Sequence, residues 1–175
     1  MERGPVSRIA TAATPRRSKS LAMTTQPAAV IIVDIDEVFA GHRVRERYHG
    51  TMETLDPEGI SQLNRLCRDA GACVVISSTW RKTWNPKRLL QHFRKAGFTG
   101  VFHADWRTPI SAKGFRGDEV DDWLRRHPEV TAYVIIDDSG DFHPHQPLVR
   151  IRANDGFTEE RCARAHLLLA GKDAQ

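Results

Sequence analysis

Apolar residues fall along this chain in short unbroken runs separated by amphipathic stretches. The run "AVIIVDI" (28–34) has the length of a strand and no polar side, as expected of a strand covered on both faces. "ACVVIS" (72–77) and "AYVIID" (132–137) read the same way, and "GVFHAD" (100–105) and "LVRIRA" (148–153) read as shorter strands. Between them, "PEGISQLNRLCRDAG" (57–71) opens on Pro57, closes on Gly71 and puts Ile60, Leu63, Leu66, Cys67 and Ala70 on one helical face. "NPKRLLQHFRKAG" (85–97) repeats the Pro start and Gly stop. "GDEVDDWLRRHP" (117–128) turns Val120, Trp123 and Leu124 to one side. "TEERCARAHLLLAG" (158–171) is a closing helix, capped by Thr158 with acids in its first turn.

This β-α-β-α-β-α-β-β-α order predicts an α/β fold: a doubly wound, mostly parallel sheet with helices on both faces, in one domain over 28–171. Ligands of such sheets bind at the carboxyl ends of the strands, and that is where the unusual residues collect. Asp34 and Asp36 follow the first strand, Ser77, Ser78 and Thr79 the second, and Asp137 and Asp138 the fourth, with Asp141 close behind in "DDSGD". If these strands are neighbours, five carboxylates share one small volume. Like charges so close cost several kcal/mol in a partly desolvated site, or force one group to keep its proton. A divalent cation removes that penalty, and hard oxygen ligands point to Mg²⁺ rather than zinc.

Composition narrows the class only modestly. Of 175 residues, 27% are charged and the net charge is +4, compatible with a phosphate-bearing partner without demanding one. The basic residues concentrate in residues 1–27, which hold five Arg or Lys against Glu2 alone, show no amphipathic period and read as a disordered tail. A transit peptide, a basic arm for nucleic acid and an over-extended start with Met23 as initiator all fit it; the last is the expectation adopted. No apolar run resembles a secretion signal or spans a bilayer. Cys67, Cys73 and Cys162 are odd in number and form no CxxC pair, which argues against a disulfide scaffold or a zinc site and for a reducing, cytoplasmic setting.

In order, "VIIVDIDEV", "VVISS", a basic residue ahead of a helix, and "VIIDD" resemble the four motifs of the haloacid dehalogenase-like (HAD) superfamily of phosphohydrolases. "SSTWR", "RGDEVDDWLRRHPEV", "YVIIDD" and "LVRIRANDGFTEE" are similar to the phosphatase domains of Swiss-army-knife RNA-repair proteins, relatives of the phosphatase half of polynucleotide kinase–phosphatases. The resemblance spans roughly residues 28–170 and implies a HAD-like, Rossmannoid phosphatase. It implies Asp34 as the nucleophile that forms an aspartyl-phosphate, Asp36 as general acid and then base, and Ser77 as a hydrogen-bond donor to the phosphoryl group. It further implies Mg²⁺ held by Asp34, the Asp36 carbonyl and Asp137, with Asp138 and Asp141 in support. Lys113 and Arg116 both precede the 117–128 helix, and either fits the third motif; Arg116 has the better spacing and Lys113 the more usual side chain. Where this chain has Glu37, the family usually carries Gly, so a side chain adds charge and backbone cost beside the site.

Only "FAGHRVRERYHGTMETL" (39–55) is left to form a flap, a minimal cap that leaves room for bulky substrates such as nucleic-acid ends. Arg43, Arg45 and Arg47 alternate there; on an extended ribbon they face one side and attract phosphate, or else simply solubilise a hairpin. Ser78, Thr79, Arg81 and Arg45 are candidate substrate contacts, and Trp80, Trp84 and above all Trp106 are candidates for stacking on bases. His103, His143 and His145 are assigned no metal. The expected activity is a Mg²⁺-dependent phosphomonoesterase acting on a nucleotide or a nucleic-acid phosphate end. The alternatives are a small-metabolite phosphatase and a catalytically weak phosphate- or nucleic-acid-binding module.

Overall fold

The computed structural model describes Met1 and residues 28–112, 114–152 and 155–172. The basic tail, apart from Met1, and Lys113 lie outside the described residues. Five strands form the sheet: β1 (Ala29–Val33), β2 (Cys73–Ile76), β3 (Phe102–Arg107), β4 (Ala132–Asp137) and β5 (Leu148–Arg150). Their order is β3-β2-β1-β4-β5, and every neighbouring pair is parallel. The expected doubly wound sheet is therefore present, and its parallel character is complete.

Residues of alternate parity along the strands feed two cores. Ile31, Val33, Val74, Ile76, Val134 and Ile136 pack with residues of α2 (Pro57–Ala70), α3 (Pro86–Lys95) and α5 (Glu159–Leu169). Val30, Ile32, Cys73, Val75 and Ile135 meet Val120 and Trp123 of α4 (Arg116–Arg125) in a smaller core on the other face. The all-apolar strand runs follow from this: both parities are buried, so neither can be polar. Among the described residues no helix is long and apolar enough to cross a membrane.

The flap departs from expectation. Residues His42–Tyr48 form a helix, α1, entered through Gly41 at φ 116° and closed by His49 at φ 50°. "HRVRERY" contains one buried residue, Val44, and its arginines at every second position read as a ribbon. Coiling corrects the row of arginines. Residues four apart share a helical face and residues two apart do not, so Arg43 and Arg47 point together while Arg45 is exposed elsewhere. Arg43 Nη2 donates to Asp56 Oδ2 at 2.8 Å and Arg47 Nη2 to Glu58 Oε1 at 2.7 Å. Two of the three cations thus tie α1 to the head of α2 instead of facing a substrate.

Candidate active site

Parallel pairing puts the carboxyl ends of β2, β1 and β4 side by side, where the strand order reverses around β1. Ladder hydrogen bonds carry this order into the loops. Asp34 N donates to Ile136 O at 2.9 Å, Ser77 N to Val33 O at 2.9 Å, and Ile151 N to Asp137 O at 2.8 Å. Asp34, Ser77 and Asp137 are therefore placed by main chain before their side chains do anything.

Asp34, Ser77, Ser78 and Asp137 are buried, Asp138 is half-buried and Asp36 is exposed. Carboxylate oxygens of Asp34, Asp137 and Asp138 lie within 4.8 Å of one another. Among the described residues one cation meets two of them: Arg116 Nη1 is 3.3 Å from Asp34 Oδ1 and hydrogen-bonds Asp137 Oδ2. At 3.3 Å the first contact is an ion pair without hydrogen-bond alignment, so Asp34 Oδ1 is buried with no hydrogen-bond partner among the described residues, as is Ser77 Oγ. One guanidinium cannot neutralise three acids. Burial pushes Asp34 up to about 6; Arg116 opposes the rise, and Asp36 and Asp138 add to it. Burial and the nearby Asp34 push Asp137 up to about 7. Crowded hard oxygens, an orphaned acceptor and uncompensated negative charge fit a divalent cation such as Mg²⁺.

Arg116 is delivered by the first turn of α4, whose N-cap residue, Phe115, supplies no side-chain cap. Asp141 does so from the loop after β4: its Oδ2 accepts from Arg116 N at 3.3 Å and its carbonyl from Gly117 N at 3.0 Å. A cap of this kind contributes roughly 1 kcal/mol. Asp141, expected in support of the metal, thus holds the helix that carries the cation and lies outside the group formed by Asp34, Asp137 and Asp138.

Asp36 has a partner that local sequence does not announce. Trp80 Nε1, 44 positions away, donates to Asp36 Oδ1 at 2.9 Å. The Trp80 ring stacks on Trp84 at 4.9 Å, and the Arg88 guanidinium lies 3.8 Å from the Trp84 ring centre. Neighbouring aromatics and a cation thus occupy rings that were candidates for stacking on bases. Trp106 is half-buried on the edge strand β3, two strands from β1, with Arg107 over its ring. Thr79 is exposed in the 3-10 turn Thr79–Lys82, which Ser78 caps through Oγ to Trp80 N at 3.4 Å.

The expected phosphate contact of Arg81 is corrected. Its side chain is 3% exposed and its donors reach the carbonyls of Ser77, Ser78, Thr108 and Pro109 and Glu119 Oε2, the last at 2.6 Å. Five N–H groups meet five acceptors, which leaves nothing for a ligand. Glu37 adopts φ 57°, the left-handed region where glycine is cheapest. Its carboxylate rests against Gly41, where an added Cβ would come within 2.6 Å of Glu37 Oε1. His143 Nε2 pairs with Asp118 Oδ1 at 2.9 Å, while His103 is buried against Trp123 and His127.

No curated protein and no solved structure matches the chain. A family model does, over residues 30–162, with strand-end acids, Ser77 and the α4 cation all inside the matched span. That span covers the sheet from β1 to β5, and with it the chain stands among HAD-type phosphohydrolases: it belongs to the family described as the HAD domain in Swiss Army Knife RNA repair proteins.

Proposed function

We propose that this protein is a cytoplasmic, Mg²⁺-dependent phosphomonoesterase that forms an aspartyl-phosphate on Asp34 and acts on a nucleotide or the phosphorylated end of a nucleic acid. The observation that carries the reading is the meeting of Asp34, Asp137 and Asp138 oxygens within 4.8 Å, with Arg116 paired to the first two. In the first step an Asp34 oxygen attacks phosphorus, the bond to the leaving oxygen breaks, and Asp36 gives that oxygen its proton. In the second step Asp36 takes a proton from water, the water oxygen attacks phosphorus, and Asp34 leaves as carboxylate with release of inorganic phosphate. Trp80 holds the Asp36 carboxylate during both transfers. The Ser77 hydroxyl, buried and without a partner among the described residues, donates to the phosphoryl group, and Arg116 offsets its charge. Bound Mg²⁺, held by Asp34, Asp137, Asp138 and the Asp36 carbonyl, supplies screening between phosphate and nucleophile.

The test is hydrolysis of p-nitrophenyl phosphate with Mg²⁺ by wild type and by Asp34→Asn. Turnover should fall by about three orders of magnitude or more in the variant, and unchanged turnover overturns covalent catalysis. One observation favours a second reading, a phosphate-binding module with weak turnover: Glu37 holds a strained φ and a negative charge directly after Asp36. If wild type is inactive on every phosphoester but Glu37→Gly turns over, that second reading is the correct one.

A further inference from the structure

Beside the carboxylate cluster runs a groove of about 610 Å³ lined by Asp138, Arg150, Ile151, Arg152 and Arg161. Asp138 belongs to both, so the groove adjoins the carboxylate cluster that contains the nucleophile. Its cationic wall is built in. Arg150 Nε donates to the Asp138 carbonyl at 3.2 Å, and its guanidinium lies over Gly140, where an added Cβ would sit 3.2 Å from Nη1. A side chain at position 140 would crowd this guanidinium and make it give by a few tenths of an ångström. Arg152 follows β5 and is exposed, and Arg161 comes from the first turns of α5. Among the described residues Arg150 and Arg152 make no ion pair, and Arg161 makes one, to Asp155 at 3.5 Å. Three cations against Asp138 and a loosely held Asp155 leave the groove positive, immediately next to a site that is negative.

We propose that this groove seats the phosphodiester next to the terminal phosphate of an oligonucleotide, making Arg150, Arg152 and Arg161 the residues that separate polynucleotide ends from single-phosphate metabolites. The proposal rests on the phosphatase reading of Asp34. A neighbouring phosphodiester is a fixed monoanion, which an arginine fork matches in charge and geometry. A free mononucleotide leaves the groove unused.

The experiment compares kcat/KM for p-nitrophenyl phosphate, nucleoside monophosphates, and di- and tetranucleotides phosphorylated at the 3′ or the 5′ end. It uses wild type and the Arg150→Gln/Arg152→Gln/Arg161→Gln variant. Wild type should prefer a dinucleotide over a mononucleotide by at least about tenfold, and the ratio of dinucleotide to p-nitrophenyl phosphate should fall by a similar factor in the variant. The slope of log kcat/KM against log salt for the tetranucleotide should shrink by about 0.7, as for one phosphate neutralised on a single strand. No chain-length preference in wild type, or the same preference in the variant, overturns the groove. Binding of a fluorescein-labelled phosphorylated tetranucleotide is measured alongside by anisotropy. Tight binding lost in the variant, with no turnover of any substrate, sustains the groove and discards the phosphatase reading.

Discussion

Arg81 and Arg116 bring the same guanidinium into neighbouring parts of the interior, one from the turn after β2 and the other from the head of α4, and meet opposite surroundings. Arg81 faces four carbonyls and one carboxylate, Glu119, so each donor is used and its charge is matched one to one. Arg116 faces Asp34 and Asp137, with Asp138 close by, so negative charge remains in excess. A matched cation is scaffold; an outnumbered one marks a place still able to take up a cation and a phosphate. The two are also joined. Glu119 sits one turn along α4 from Arg116, and its other oxygen accepts from Ser111 N at 2.8 Å. Arg81 therefore anchors, through Glu119, the helix that aims Arg116.

Replacement of Arg116 should break the comparison on the catalytic side. Arg116→Ala is expected to lower kcat/KM about 10²-fold to 10³-fold on p-nitrophenyl phosphate, the size of loss seen when one charge-stabilising donor is removed. Arg116→Lys should regain part of it. Steady-state kinetics decides, and wild-type kinetics in the alanine variant would make Arg116 another scaffold cation.

Replacement of Arg81 should act on the fold instead. Arg81→Met strands a buried carboxylate and four carbonyls, a loss of about 3–5 kcal/mol, or roughly 10 °C in melting temperature for a chain of this size. Arg81→Met/Glu119→Leu should melt higher than Arg81→Met alone, because no unpaired charge is left inside. Thermal denaturation of the two variants settles this, and a double variant no more stable than the single one would refute the matched-pair account.

The smallest expected effect sharpens the excess-charge half of the comparison. Asp34 and Asp137 titrate near 6 and 7 in the fold against 3.8 when unfolded. The folded state thus favours their protonated forms, and the stability this contributes is lost as pH rises through those values. Metal-free protein should melt lower at pH 8 than at pH 5 through these groups. Millimolar Mg²⁺ at pH 8 should reverse this, since it binds only the folded cluster. Asp137→Asn should flatten the pH profile and abolish the Mg²⁺ shift. A metal-free profile that is flat in wild type would remove the claim of uncompensated charge.

How far the sequence reveals this molecule depends on the range over which each feature is encoded. Strands buried on both faces write themselves as apolar runs, and the acids that end them at Asp34 and Asp137 stand out against those runs. Helices α2 and α3 announce themselves through Pro at the start and Gly after the end. Helix α1 does not, because a seven-residue helix with one buried side chain lacks the repeats that reveal a 3.6-residue period. Partners distant in sequence are likewise invisible. Nothing near Arg81 indicates that Thr108, Pro109 and Glu119 will surround it, nothing near Asp36 points to Trp80, and Asp141 reads as one more acid until it is found capping α4.

The rungs that join Asp34 to Ile136 and Ser77 to Val33 have a consequence for motion. Backbone at these positions can loosen only when the central sheet unzips, so those amides should be among the last in the molecule to exchange with deuterium. A ligand arriving there finds its contact points already rigid, and little flexibility is lost when it docks.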